Sequence, residues 1–232
     1  MKVKTPSESQ QKSIHAKVNE TSAFMRGAHK RNLSPRLIII AVESKKAEKQ
    51  YFEEVIDIPS TVKIEVLETI DGCSSPDHVF YRLKTYKEKY ETDGFGKIDE
   101  YWLMVDVDRW PQLEDAEIAA EKLGYQVAIS KPCFEIWLLC HLPDVVIPEK
   151  LGSCSRTVKP LLHNHEALGS YEDQLQPCDI PKFRTNIEIA IQRAQELDLD
   201  TNPEDRWWKR ERPGTHVYKT VQSILGLKRG RY

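Results

Sequence analysis

The chain has 232 residues, 40% hydrophobic and 30% charged, with no apolar run near the roughly 20 residues that span a bilayer. That excludes a disordered chain and a membrane-spanning one, and the polar N-terminus carries no apolar core of a secretory signal, so a cytoplasmic protein is expected. The formal charge of −2 hides an asymmetry: residues 1–36 hold eight Lys or Arg against two acids (net +6), residues 206–232 eight against one (net +7), and the body is near −15.

Residues 1–33 are polar and basic and show no sustained apolar period, which predicts a mobile arm with at most a short helix. Order is expected from Leu37 to Val42, a continuous β-branched run that fits a strand buried on both faces. Ala47, Tyr51, Phe52 and Val55 follow at helical spacing, and "TVKIEVLETI" (61–70) alternates as a half-buried strand. A helix is predicted from Ser75 as N-cap and Pro76 at its first position, with Val79, Leu83 and Tyr86 in one stripe. "TDGFGK" (92–97) is a turn and "DEYWLMV" (99–105) a third strand. "PQLEDAEIAAEKLG" predicts a helix stopped by Gly124, "YQVAIS" (125–130) a fourth strand, and "KPCFEIWLLCHL" (131–142) a helix closed by Pro143.

Four strand–helix pairs in succession predict an α/β fold with a mostly parallel four-stranded sheet flanked by helices. The expected layout is a basic arm (1–33), an α/β core (34–143), a loop-rich insertion rich in Pro, Gly, Ser and His (144–182) and a C-terminal helical segment (183–232). The five cysteines are scattered with no CxxC, which fits reduced thiols better than a disulfide framework.

In an open parallel sheet the ligand crevice lies at the carboxyl ends of the strands. Here those ends deliver acids: Glu43 after the first strand, Asp106 and Asp108 after the third, and Glu135 in the first turn after the fourth. Two residues apart on an extended stretch, Asp106 and Asp108 point the same way. Crowded carboxylates repel unless a cation joins them, and hard oxygen ligands suit Mg²⁺ or Mn²⁺ with substrate phosphates in the remaining positions. Such an ion supports phosphodiester hydrolysis. Each acid also has a plainer reading, as a helix N-terminal acid or a partner of a nearby lysine.

Lys131 could bind phosphate or be an ordinary surface lysine, and Arg109 could touch phosphate or neutralise the acids. In "RWWKRERPGTH" the cations Arg206, Lys209, Arg210 and Arg212 lie beside two tryptophans, fitting either stacking on unpaired bases or a buried Trp pair with a basic rim. His141 reads as a helix C-terminal cation, and Cys154, His163, His165 and Cys178 match no common zinc spacing.

The pattern "LIIIAVE…VDVDRW" resembles a TOPRIM domain, and with "PRLIIIAVESKKAEKQYFE" and "KPCFEIWLLCHL" the chain resembles the RloB-like family over roughly residues 30–227. The resemblance implies a TOPRIM-type, metal-dependent nuclease associated with restriction or abortive infection, acting in anti-phage defence beside an AAA-type ATPase partner. By position it implies Glu43, Glu48, Asp106, Asp108 and Glu135 as the metal-binding acids, with Glu43, Asp106, Asp108 and Lys131 central to catalysis. Ser44, Ala47 and Lys131 stand where the family has glycine, threonine and asparagine. The competing expectation is a catalytically degenerate module held by an ATPase; DNA and RNA substrates stay equally open.

Overall fold

The computed structural model describes residues 3–25, 35–70, 73–92, 98–107, 110–166, 168–198 and 206–227. Asp108 and Arg109 lie outside them. Strands β1 (Arg36–Ala41), β2 (Val62–Leu67), β3 (Glu100–Asp106), β4 (Gln126–Lys131) and β5 (Gly214–Thr215) form one sheet in the order β2-β1-β3-β4-β5. β1 pairs in parallel with β2 (Ile38 opposite Ile64) and with β3 (Ala41 opposite Leu103). The expected α/β sheet is present and gains a fifth strand, since β5 pairs antiparallel to β4 with Ser130 opposite Thr215. Two residues of Gly-Thr carry no alternation, so β5 left no pattern to find.

The chain divides into two compact units, one of Met1–Lys45, Ile58–Met104 and Trp110–Val127, the other of Lys46–Asp57, Val105–Arg109 and Ala128–Tyr232. In the first, α1 (Glu8–Met25) packs on α3 (Pro76–Thr92), which also packs on β1 and on α4 (Leu113–Lys122). The expected mobile arm is thus an 18-residue helix that buries Ile14 and Val18, one helical turn apart. β1 is buried along Ile38–Ile40, as its unbroken apolar run requires. Its start is clamped by Asp99, whose carboxylate accepts from the Leu37 N–H at 2.8 Å while its own N–H donates to the Leu37 carbonyl at 2.9 Å. At its far end the Arg82 guanidinium, only 1% exposed, donates to the Val42 carbonyl. α4 ends in a Schellman arrangement: Gly124 takes φ +75°, its N–H donates to Glu121 and the Tyr125 N–H to Ala120.

In the second unit α2 (Ala47–Gln50) runs into a π-helical turn, Tyr51–Val55. Fully buried Tyr51 centres the apolar core there, with the rings of Phe52, Phe134, Trp137 and His141 at 5.5–5.9 Å. α5 (Glu135–Cys140) follows β4. The stretch expected to be loop-rich holds a π turn, Cys154–Val158, α6 (Lys159–His163) and the start of α7 (Ile180–Thr185). α8 (Ile187–Asp198) and α9 (Val217–Leu225) supply the helices of the expected C-terminal segment. Among the described residues no helix is long and apolar enough to cross a membrane.

Candidate functional site

Glu43 lies two residues beyond β1, half-buried, in the first unit; Glu48, Asp106, Lys131 and Glu135 belong to the second. Glu43 stands between two held backbone groups, the Val42 carbonyl on Arg82 and the Ser44 carbonyl on the Thr69 N–H at 3.3 Å. Asp106 is the last residue of β3 and is half-buried. The next residue, Val107, continues the pairing by donating its N–H to Ser130 of β4 at 3.0 Å.

β4 ends at Lys131, a cis Lys131–Pro132 peptide follows, and four residues on Glu135 opens α5.

Glu135 is 6% exposed. Its Oε1 accepts a hydrogen bond from the Tyr171 hydroxyl at 3.1 Å and pairs with the Lys159 ammonium at 3.4 Å. Its Oε2 faces Cys154 Sγ at 3.3 Å. Glu48, 3% exposed on α2, acts on the same phenol. Burial, then the Glu135 carboxylate, and beyond it Glu48 and Asp173, push the Tyr171 hydroxyl far above the ordinary tyrosine range, so it stays a donor. Burial opposes the charge on Lys159, but hydrogen bonding to Asp173 and the nearby Glu135 hold it above the usual lysine value. Glu48 and Glu135 therefore both raise the pKa of the Tyr171 hydroxyl, while the Lys159 ammonium is paired with Glu135 and Asp173.

Neither Tyr171 nor Lys159 stood out in the sequence. The one available signal was an aromatic residue in an otherwise polar loop.

The cysteines depart from the expectation of reduced thiols: Cys133 and Cys154 form a disulfide, while Cys73, Cys140 and Cys178 are free. The pair is 21 residues apart, and only the packing of the Cys154–Val158 turn against α5 brings it together. This also removes Cys154 from the cysteine–histidine set. His163 Nδ1 instead lies 3.2 Å from the Tyr171 carbonyl, and His165 pairs with Asp144 at 3.0 Å.

Lys131 is engaged with backbone. Its ammonium donates to the carbonyl oxygens of Trp208, at 2.9 Å, and Arg210, and burial lowers its pKa. It pins the segment that carries Arg206, Lys209, Arg210 and Arg212, of which Lys209 and Arg212 are exposed. Trp207 packs inward: its ring lies 4.7 Å from that of His216, and a Cβ on Gly214 would come within 2.6 Å of it. Trp208 carries the Lys209 ammonium 5.5 Å from its ring. So the first tryptophan is packed against its neighbours but only half-buried.

His141 is also not a surface cation. It is fully buried, its Nδ1–H donates to the Trp137 carbonyl at 3.0 Å, and its Nε2 accepts from Tyr51 at 3.1 Å. Desolvation pushes its pKa down to about 3, so it is neutral.

The carboxylates of Glu48, Asp106 and Glu135 are hard oxygen donors of the kind Mg²⁺ or Mn²⁺ takes, but among the described residues the acid, histidine and cysteine ligand atoms that lie within 4.8 Å of one another are those of Cys133, Glu135 and Cys154. A search of curated proteins and a search of solved structures return no match. A family model described as RloB-like protein matches residues 38–224. That span opens inside β1, closes inside α9 and takes in every acid described above, and the chain belongs to the RloB-like family.

Proposed function

We propose that this chain is a Mg²⁺- or Mn²⁺-dependent phosphodiesterase that cleaves nucleic acid. Two buried carboxylates, Glu48 and Glu135, bearing on one hydroxyl in the unit that also holds Asp106, are the observation that carries the reading. Glu48, Asp106 and Glu135 would hold the ion, and the family resemblance adds Asp108. Bound there, the ion would polarise a phosphoryl oxygen and lower the pKa of a coordinated water. The chain's own groups would do the positioning. Tyr171 and Lys159 fix the orientation of the Glu135 carboxylate, an outer layer that holds a ligand in one pose. Arg206, Lys209, Arg210 and Arg212 offer positive charge to the phosphate backbone. From the same resemblance we place the activity in anti-phage defence, with an AAA-type ATPase as partner.

The test is cleavage of single- and double-stranded DNA, bulk RNA and tRNA with Mg²⁺, with Mn²⁺ and with chelator, alone and with an AAA-type ATPase. Metal-dependent cutting is expected, reduced about 100-fold or more by Asp106→Asn or Glu48→Gln, with unchanged circular dichroism. Full activity in Asp106→Asn would refute the assignment.

A second reading, a non-catalytic module held by the ATPase, is favoured by one observation: Glu135 is already met by Lys159, Tyr171 and a disulfide sulfur. No cutting in any metal, together with stable co-purification of the ATPase, would establish it.

A further inference from the structure

We propose that reduction of the Cys133–Cys154 disulfide uncovers a zinc-class metal site formed by Cys133, Cys154 and Glu135. The sulfurs and a Glu135 oxygen all lie within 4.8 Å of one another, and the three residues are 2%, 7% and 6% exposed. Tetrahedral zinc holds two thiolates with sulfurs roughly 3.8 Å apart, given Zn–S bonds near 2.3 Å. The two Cα atoms, 5.8 Å apart, need no large backbone movement to allow that separation.

The carboxylate is arranged as a ligand. Oε1 is held by the Tyr171 hydroxyl and the Lys159 ammonium, and Oε2 is left facing the sulfur of Cys154. Second-layer hydrogen bonds that fix one oxygen while the other meets the ion are the usual support of a bound carboxylate. The neighbouring histidines are committed elsewhere, His163 to the Tyr171 carbonyl and Ser170, His165 to Asp144. Three protein ligands then leave the fourth position to water.

The chemistry balances in two steps. A dithiol donates two electrons and two protons to the disulfide, giving two Cys thiols and its own cyclic disulfide. Zn²⁺ then displaces the two thiol protons and binds both thiolates with the Glu135 carboxylate. The ligands are soft sulfur plus one oxygen, so the site selects zinc-class ions over Mg²⁺. The inference does not depend on the phosphodiesterase reading, and its test contains no nucleic acid.

The full-length chain is reduced with dithiothreitol under argon, desalted and titrated with Co²⁺ as a spectroscopic probe, then with Zn²⁺. One Co²⁺ per chain is expected, with a near-ultraviolet sulfur-to-cobalt charge-transfer band that one Zn²⁺ abolishes. The oxidised chain should show no band, a comparison that needs no variant. Cys133→Ser and Cys154→Ser should each weaken the band, and Glu135→Gln should lower affinity roughly tenfold. Cys178→Ser, at an exposed thiol, should leave it unchanged. A reduced chain without the band, or a band that survives the double Cys133→Ser, Cys154→Ser substitution, overturns the site.

Discussion

At the scale of single residues, several side chains that read as surface chemistry are spent on holding backbone. Lys131 stood at the end of a strand where a phosphate-binding cation is expected, yet its ammonium bonds the Trp208 and Arg210 carbonyls. Lys131→Met should therefore loosen the 206–210 segment. Tryptic cleavage after Lys209 and Arg210 should be at least several-fold faster than in the parent chain. Unchanged cleavage rates would return Lys131 to the role of substrate contact. The placing of Glu43 just after β1 and of Asp106 at the end of β3 was legible, because the apolar runs before them read as strands. Tyr171 and Lys159, which orient Glu135, were not, since each reaches it across 24 or more residues of chain and neither sits in a periodic pattern. The Cys133–Cys154 pairing was hidden for the same reason: partners joined by tertiary packing leave no spacing rule in the sequence.

At the scale of elements, the long buried strands were the easiest to read. β1 is an unbroken apolar run, and an unbroken run in a parallel sheet has one interpretation. α1 was missed because its burial rests on Ile14 and Val18 among otherwise polar residues, too narrow a stripe to register as a period. Short α5 shows how an element below the length of a stable isolated helix is kept. Its C-terminal carbonyls need donors, and Arg193 of α8 supplies them, bonding Leu139 at 3.2 Å, Cys140 at 3.5 Å, and Leu142 and Val145 beyond. Arg193→Met removes that cap and should lower unfolding stability by about 2 kcal/mol, read from the urea midpoint. A loss within experimental error would mean that water replaces the guanidinium.

At the scale of the whole molecule, pH links the buried histidines to stability. His141 has a folded pKa near 3, well below its unfolded value near 6.5. Between those values the unfolded chain takes up a proton that the native state refuses, so stability is intact above about pH 6.5 and falls as pH drops toward 3. His216 and His78, also lowered chiefly by burial, act in the same direction. Asp198, held below the usual carboxylate range by His216, Tyr218 and Lys219 against its burial, adds its loss only below about pH 4. Moving from pH 7 to pH 5 should cost up to about 2 kcal/mol from His141 alone, and His141→Gln should show a correspondingly shallower decline in urea midpoint. Equal slopes in both proteins would assign the acid sensitivity elsewhere. One buried group stands apart from all of this. A guanidinium does not release its proton at any pH a folded protein survives, so the grip of Arg82 on the end of β1 is indifferent to acidity. The peptide next to Glu43 therefore keeps its anchor as the medium turns acid.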